Sequence, residues 1–171
     1  MIDPQRLMLG PSGWVPNNSR LPVLIYRQVF GGDTNRANRM VDAFSGNGWQ
    51  GIWRNGVFSY QHYHSEAHEV LGFADGSARL LIGGPEGETL DVAAGDVVVL
   101  PAGTGHCRLQ SSADFLVIGA YPPGQEADMC TGPENKTEKE AAIAHVALPD
   151  MDPLYGAGGP LVVHWRQGGG Q

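Results

Sequence analysis

The sequence predicts an all-β protein, a sandwich or barrel of short strands carrying two short peripheral helices. Three observations carry that expectation. From Trp49 to Tyr121, strand-like runs at 52–63, 69–74, 77–82, 88–92, 96–100, 105–110 and 114–121 are separated by Gly, Pro, Asp or Ser at short intervals, the rhythm of hairpin-linked strands. Glycine (25) and proline (12) are abundant, as many tight turns require. A chain of 171 residues with 42% hydrophobic content fills one buried core and falls short of two. No internal repeat divides it.

Taken in order, residues 1–20 read as an irregular arm rich in Pro, Asn and Ser. The run LPVLIYRQVF (21–30) is β-branched and aromatic, hence a strand. Asp33 and Thr34 then precede an amphipathic helix in which Ala37, Met40, Val41 and Phe44 recur at helical spacing, stopped by Gly46-Asn47-Gly48. Within the β region, Asp75-Gly76 and the stretch 83–87 read as hairpin turns. After Pro122-Pro123-Gly124 a second helix is expected across 137–146, opened by a capping box from Thr137 to Glu140. Residues 152–165 read as a turn and one last strand, and 167–171 as a flexible Gly-rich tail. The expected organisation is an arm (1–20), a single domain (21–166) and that tail.

The charge balance narrows the partners. Net charge is −7, with lysine and arginine scattered singly, so no basic cluster is present to meet nucleic acid or an anionic membrane. Residues 1–14 lack the basic and apolar regions of a signal peptide, and no apolar stretch approaches the ~20 residues of a membrane span. Two cysteines, Cys107 and Cys130, are too few for a disulfide scaffold. A cytoplasmic location and a small-molecule ligand or substrate are expected.

Two segments hold the chemistry. In GVFSYQHYHSEAHEVLGFADG (56–76), His62 and His64 are two residues apart. On an extended chain they share a face, with Cα atoms roughly 6–7 Å apart. Glu69 follows with a hard oxygen ligand. In GDVVVLPAGTGH (95–106), His106 arrives from a second strand. Three neutral nitrogens and one carboxylate suit a divalent first-row metal with positions left open for water or substrate.

The first segment matches G-x5-H-x-H-x4-E-x6-G without a gap, and the second matches G-x5-P-x-G-x2-H, with 77–94 between them as an intermotif hairpin. On these motifs the chain resembles the cupin superfamily. The strings WRNGVF, HYHSEAHEVLG, LPAGTGH and GAYPPGQ are similar to a group of small bacterial single-domain cupins of uncharacterised function. The resemblance implies a double-stranded β-helix, or jelly-roll barrel. It also implies a metal centre of His62, His64, Glu69 and His106, holding Fe, Mn, Ni or Zn, and chemistry of the dioxygenase, decarboxylase or isomerase type. Two other readings stay open: a non-enzymatic metal or ligand-binding module, and a metal-free, epimerase-like cupin using histidine as base. Cupins commonly pair through their sheets, so a homodimer is expected, with 21–30 or 161–165 as the pairing edge. One departure is Gln110, where the second motif often carries Asn.

Strand parity extends the site. Phe58 and Tyr60 should share the face of His62 and His64, Leu71 and Phe73 that of Glu69, and Arg108 and Gln110 that of His106. Tyr60 and Arg108 are the candidate substrate-pocket residues, Arg108 as a carboxylate anchor or a solvent-facing arginine. No separate catalytic residue is identified. His68 should face away from Glu69 unless a bulge exchanges the two as ligands. It otherwise reads as a donor supporting the ligands or as exposed. Cys107 is expected to pack away from the cavity, and Trp14, Trp49, Trp53 and Trp165 to serve as core or interface anchors.

Overall fold

The structure, a computed structural model, describes residues 1–168. The last three residues of the expected tail, 169–171, lie outside the described residues. Nine strands and three helices follow in the order β1 (Gln5–Leu7), β2 (Val23–Tyr26), α1 (Arg36–Gly46), β3 (Gln50–Asn55), β4 (Glu69–Asp75), β5 (Ser77–Ile82), β6 (Glu88–Ala93), β7 (Val97–Leu100), β8 (His106–Ser111), β9 (Leu116–Tyr121), α2 (Lys136–His145) and α3 (Pro160–Gly168). Six strands form one antiparallel sheet, β1-β2-β7-β4-β9-β3, and three form another, β6-β5-β8. The protein is mainly β, as the sequence predicts.

The central strands of the six-stranded sheet are buried on both faces, which explains why β2 (VLIY) and β7 (VVVL) read as unbroken apolar runs. Val23, Ile25, Leu71, Phe73 and Val98 point towards the three-stranded sheet and join Leu80, Ile82 and Val92 there. Leu24, Tyr26, Val70, Val99 and Ile118 point the other way, onto Met40 and Phe44 of α1 and Leu161 and Trp165 of α3. The motif glycine that ends β4 has a positional reason. Gly76 turns into β5 at φ +73°, and a Cβ there would come within 2.9 Å of the Phe115 backbone.

Several expectations are corrected. The last strand does not exist, because 160–168 is helical. Pro160 opens α3 with a fixed φ, and the buried carboxylate of Asp152 accepts the Leu161 N–H at 2.9 Å. Leu161, Val162 and Trp165 are buried while Val163 is 47% exposed, a helical period that paired valines disguise in the sequence. Gln167 and Gly168 belong to that helix rather than to a tail. The capping box at Thr137 is also absent. The residue capping α2 is Asn135, in the left-handed conformation and with no side-chain cap bond. The arm contains β1, which pairs with β2 and makes β2 an interior strand. Neither 21–30 nor 161–165 is therefore a free edge. The predicted 52–63 strand ends at Asn55, and His62 beyond it makes an isolated bridge instead.

Candidate metal centre

Backbone pairing brings the two motifs together. His106 N–H donates to the His62 carbonyl at 2.9 Å, and His62 N–H to the His106 carbonyl at 3.3 Å. Their rings lie 4.1 Å apart, and each is 5.5 Å from the ring of His64. One nitrogen from each of His62, His64 and His106 falls within 4.8 Å of the others. All three side chains are buried.

Hydrogen bonding selects which nitrogen faces inward. Nδ1 of His62 meets the Tyr60 carbonyl at 3.1 Å, Nδ1 of His64 the Asp128 carbonyl at 2.5 Å, and Nδ1 of His106 the Thr104 carbonyl at 2.9 Å. A carbonyl only accepts, so each Nδ1 carries a proton, and in the neutral ring each Nε2 presents a lone pair. Outer partners of this kind orient imidazoles for a metal. Glu69 Oε1 stands 3.5 Å from His64 Nε2 and 3.4 Å from His106 Nε2. It adjoins two members of the triad and lies outside the tight group of three.

The electrostatics follow from burial and proximity. Burial, with His106 beside it, pushes His62 down to about 3 and keeps it neutral. Burial opposes the ionisation of Glu69, but hydrogen bonds from His106 and His64, donated when their Nε2 atoms also carry a proton, outweigh it and hold the carboxyl well below its usual range. A bound metal would take the place of those protons. Burial would likewise lower His64, and the hydrogen bond and charge of Glu69 reverse the direction. Inward lone pairs around a buried carboxylate form an electron-rich hollow. A divalent cation satisfies it, so the residues present fit a metal.

The centre opens into a cavity of about 350 Å³. Arg108 and Leu71 line it, as parity predicts, but Phe73 stays in the apolar core and Gln110 lies outside. For Gln110 the reason is a bulge: Arg79 pairs with Gln110 but Leu80 with Arg108, so Leu109 is an extra residue that resets the faces. Phe73, by contrast, keeps the face of Leu71 farther along β4. Tyr60 is not among the lining residues. Its ring stacks on Phe58 at 5.0 Å and is 47% exposed. What it gives the site is its carbonyl, on His62.

His68 is neither ligand, nor support for one, nor exposed. It is fully buried on the outer face of the sheet, 4.8 Å from the Trp165 ring, and its Nδ1 accepts the Ala102 N–H at 2.8 Å. Burial pushes it down to about 4. Cys107 is buried and takes a contact from Gln61 Nε2 at 3.3 Å, outside the cavity lining.

Two elements of the site escape sequence reasoning. Tyr121 lies beside Glu69 and accepts Trp53 Nε1–H at 3.1 Å; burial first, then the Glu69 charge, raises its phenol. Trp53 reaches it by lying across its cross-strand partner Gly119, where a Cβ would collide with the indole. Asp128 is the second. Its carboxylate accepts from Ser65 N–H at 2.7 Å, Ser65 Oγ at 2.5 Å, Glu66 N–H at 3.1 Å and Lys139 Nζ at 3.1 Å. These bonds tie the loop after His64 to α2 and place the Asp128 carbonyl on His64. No motif announces a partner 64 residues away. The W-R-N run at 53–55 could have pointed to Trp53.

A two-sheet antiparallel barrel that gathers an H-x-H pair, a glutamate and a third histidine into its hollow has the cupin fold. The chain belongs to the family of a Bacillus subtilis (strain 168) protein named "Uncharacterized protein YjlB", with 40% identity over 162 residues, 94% of this chain and 96% of that one. No family model matches. Similar solved structures include an acireductone dioxygenase from Bacillus anthracis with cadmium ion in its active centre (18% identity, TM-score 0.38, 49% of this chain and 57% of that one). An oxalate decarboxylase from Bacillus subtilis gives 20% identity and a TM-score of 0.38, over 64% of this chain and 27% of that one. A DUF861 family protein from Thermotoga maritima gives 17% and 0.35, over 57% of this chain and 96% of that one. The matches thus span about half of the dioxygenase and about a quarter of the decarboxylase. No helix among the described residues is long and apolar enough to cross a membrane.

Proposed function

We propose that this protein is a small-molecule metalloenzyme of the dioxygenase, decarboxylase or isomerase type. His62, His64, His106 and Glu69 would hold one divalent first-row metal, with Fe, Mn, Ni and Zn as the candidates. The observation that supports this most is the common tautomer of the three histidines. Every Nδ1 proton is spent on a carbonyl, leaving three Nε2 lone pairs and one carboxylate to converge.

A metal bound there supplies Lewis acidity towards an oxygen of the ligand, or electrons where it is redox-active. The chain's own residues do the rest. Glu69 balances charge, and Tyr121, braced by Trp53, holds a phenolic proton at the carboxylate. Val57 and Leu71 exclude water from the wall. A cavity of about 350 Å³ suits a small molecule.

The test is metal content by mass spectrometry on protein purified without a histidine tag. Close to one equivalent per chain is expected, and almost none in a His62→Ala/His106→Ala variant. Oxygen uptake and CO₂ release over a panel of small hydroxy acids, keto acids and diketones then read out the reaction. A folded wild-type protein that stays metal-free after incubation with each candidate ion would sink the reading.

A further inference from the structure

We propose that the cavity binds a small monocarboxylate with an apolar body, and that Arg108 receives the carboxylate. This deepens the small-molecule reading of the same pocket, yet Arg108 acts without reference to which metal is bound.

The inference starts from the arginines. Of nine in the chain, four pair with carboxylates: Arg27, Arg39, Arg79 and Arg166. Arg20 and Arg36 donate to backbone carbonyls, and Arg54 to Asn38. Among the described residues only the guanidinium groups of Arg6 and Arg108 have no hydrogen-bond or ion-pair partner. Arg6 is exposed on the edge strand β1, where water serves it. Arg108 is half-buried in the wall of the metal cavity.

Its position is built. Arg108 follows His106 by two residues on β8, pairs with Leu80 and donates its backbone N–H to the Phe58 carbonyl at 2.8 Å. The Leu109 bulge falls after it, so Arg108 keeps the cavity-facing register that Gln110 loses. Glu69, the one carboxylate among the residues lining that cavity, turns its Oε1 to His64 and His106 and makes no ion pair with Arg108. A guanidinium offers five donors in a planar fork, and withdrawing them from water without a partner is costly. A carboxylate satisfies that fork through two parallel bonds.

The rest of the cavity sets the body of the ligand. Val57 and Leu71 supply buried apolar wall, and Phe58 and Met129 line it while remaining 47% and 48% exposed. Tyr60, stacked on Phe58, extends this apolar rim outward. Arg54 also lines the cavity but is already engaged with Asn38. One free cation and an apolar mouth describe a molecule with one carboxylate and a short aryl or alkyl body.

Isothermal titration of the protein as purified tests this with phenylacetate, phenylpyruvate and hexanoate. Phenylacetamide serves as the neutral shape control and phenyl phosphate as the alternative anion. At least one acid should bind, the amide should bind about 10–100-fold more weakly than phenylacetate or not at all, and Arg108→Ala should weaken the acid by a similar factor. Arg108→Lys should restore part of the affinity, with metal content and melting temperature unchanged in both variants. The proposal is overturned if no acid binds, if amide and acid bind alike, if Arg108→Ala binds the acid as wild type does, or if phenyl phosphate binds tighter than every acid. Metal assayed on the same samples separates the two readings. Acid binding through Arg108 in protein that stays metal-free after incubation with each candidate ion sinks the metal centre alone, and metal-loaded protein that ignores every acid sinks this proposal alone.

Discussion

The two faces of β4 are equally buried and chemically opposite. On the outer face, Val70 and Ala74 pack with Met40, Phe44 and Trp165, and a Cβ on Gly72 would sit 2.8 Å from Met40 Sδ. On the inner face, Phe73 and Leu71 belong to the apolar core between the sheets, and the next residue on that side is Glu69, in the hollow beside His64 and His106. His68 and Glu69 are neighbours in sequence, yet one leans on an indole and the other closes a ring of imidazoles. Burial alone therefore does not mark a functional residue. What separates the two is where the polar contacts lead: the hydrogen bond of the His68 ring goes to the local Ala102 N–H, while Glu69 converges with His64 and His106 on a shared hollow.

That contrast can be broken from either side. The largest effect is expected outside: Trp165→Ala removes a fully buried indole and its 3.0 Å bond to the Pro22 carbonyl. It should cost ~3–5 kcal/mol in urea unfolding, while the folded fraction still takes up metal at full stoichiometry. On the inner side, loading the wild type with metal at a thousand times its dissociation constant should stabilise it by about 4 kcal/mol. Thermal unfolding of the His62→Ala/His106→Ala variant should show no such gain. A gain in that variant would mean the ion binds elsewhere.

Smaller effects sharpen the comparison. His68→Phe strands the Ala102 N–H and should cost ~1–3 kcal/mol without changing metal content. Loss of metal in that variant would move His68 into the centre. Tyr121→Phe takes away only a hydroxyl. Competition with a chelator should report metal affinity weaker by roughly 10-fold, with urea stability lower by only about 1 kcal/mol, because the ring stays packed while the half-buried Trp53 Nε1–H loses its acceptor.

Legibility followed the range of the interactions involved. The H-x-H pair, Glu69 and His106 could be read because motif spacing on extended chain dictates which side chains share a face, and the barrel carries that spacing through. Helix α1 could be read because Met40 and Phe44 recur with the helical period. Helix α3 was hidden because its nine residues hold two adjacent valines, and what makes them helical is the Asp152 carboxylate and a sheet to lie on. Gln110 was misplaced by a single inserted residue, and Tyr60 by a strand that ends eight residues early.

The sequence by itself determined the β-rich class, the order of the elements from β2 to β9 and the three histidines of the candidate centre, since these depend on periodicity and turn chemistry over a few residues. Only the tertiary structure decided that Asp128 steadies His64, that Trp53 and Tyr121 stand behind Glu69, and that Arg108 faces the cavity without a partner. Those are contacts between segments tens of residues apart, and hydrogen-bond geometry at such separations is set by how the sheets pack.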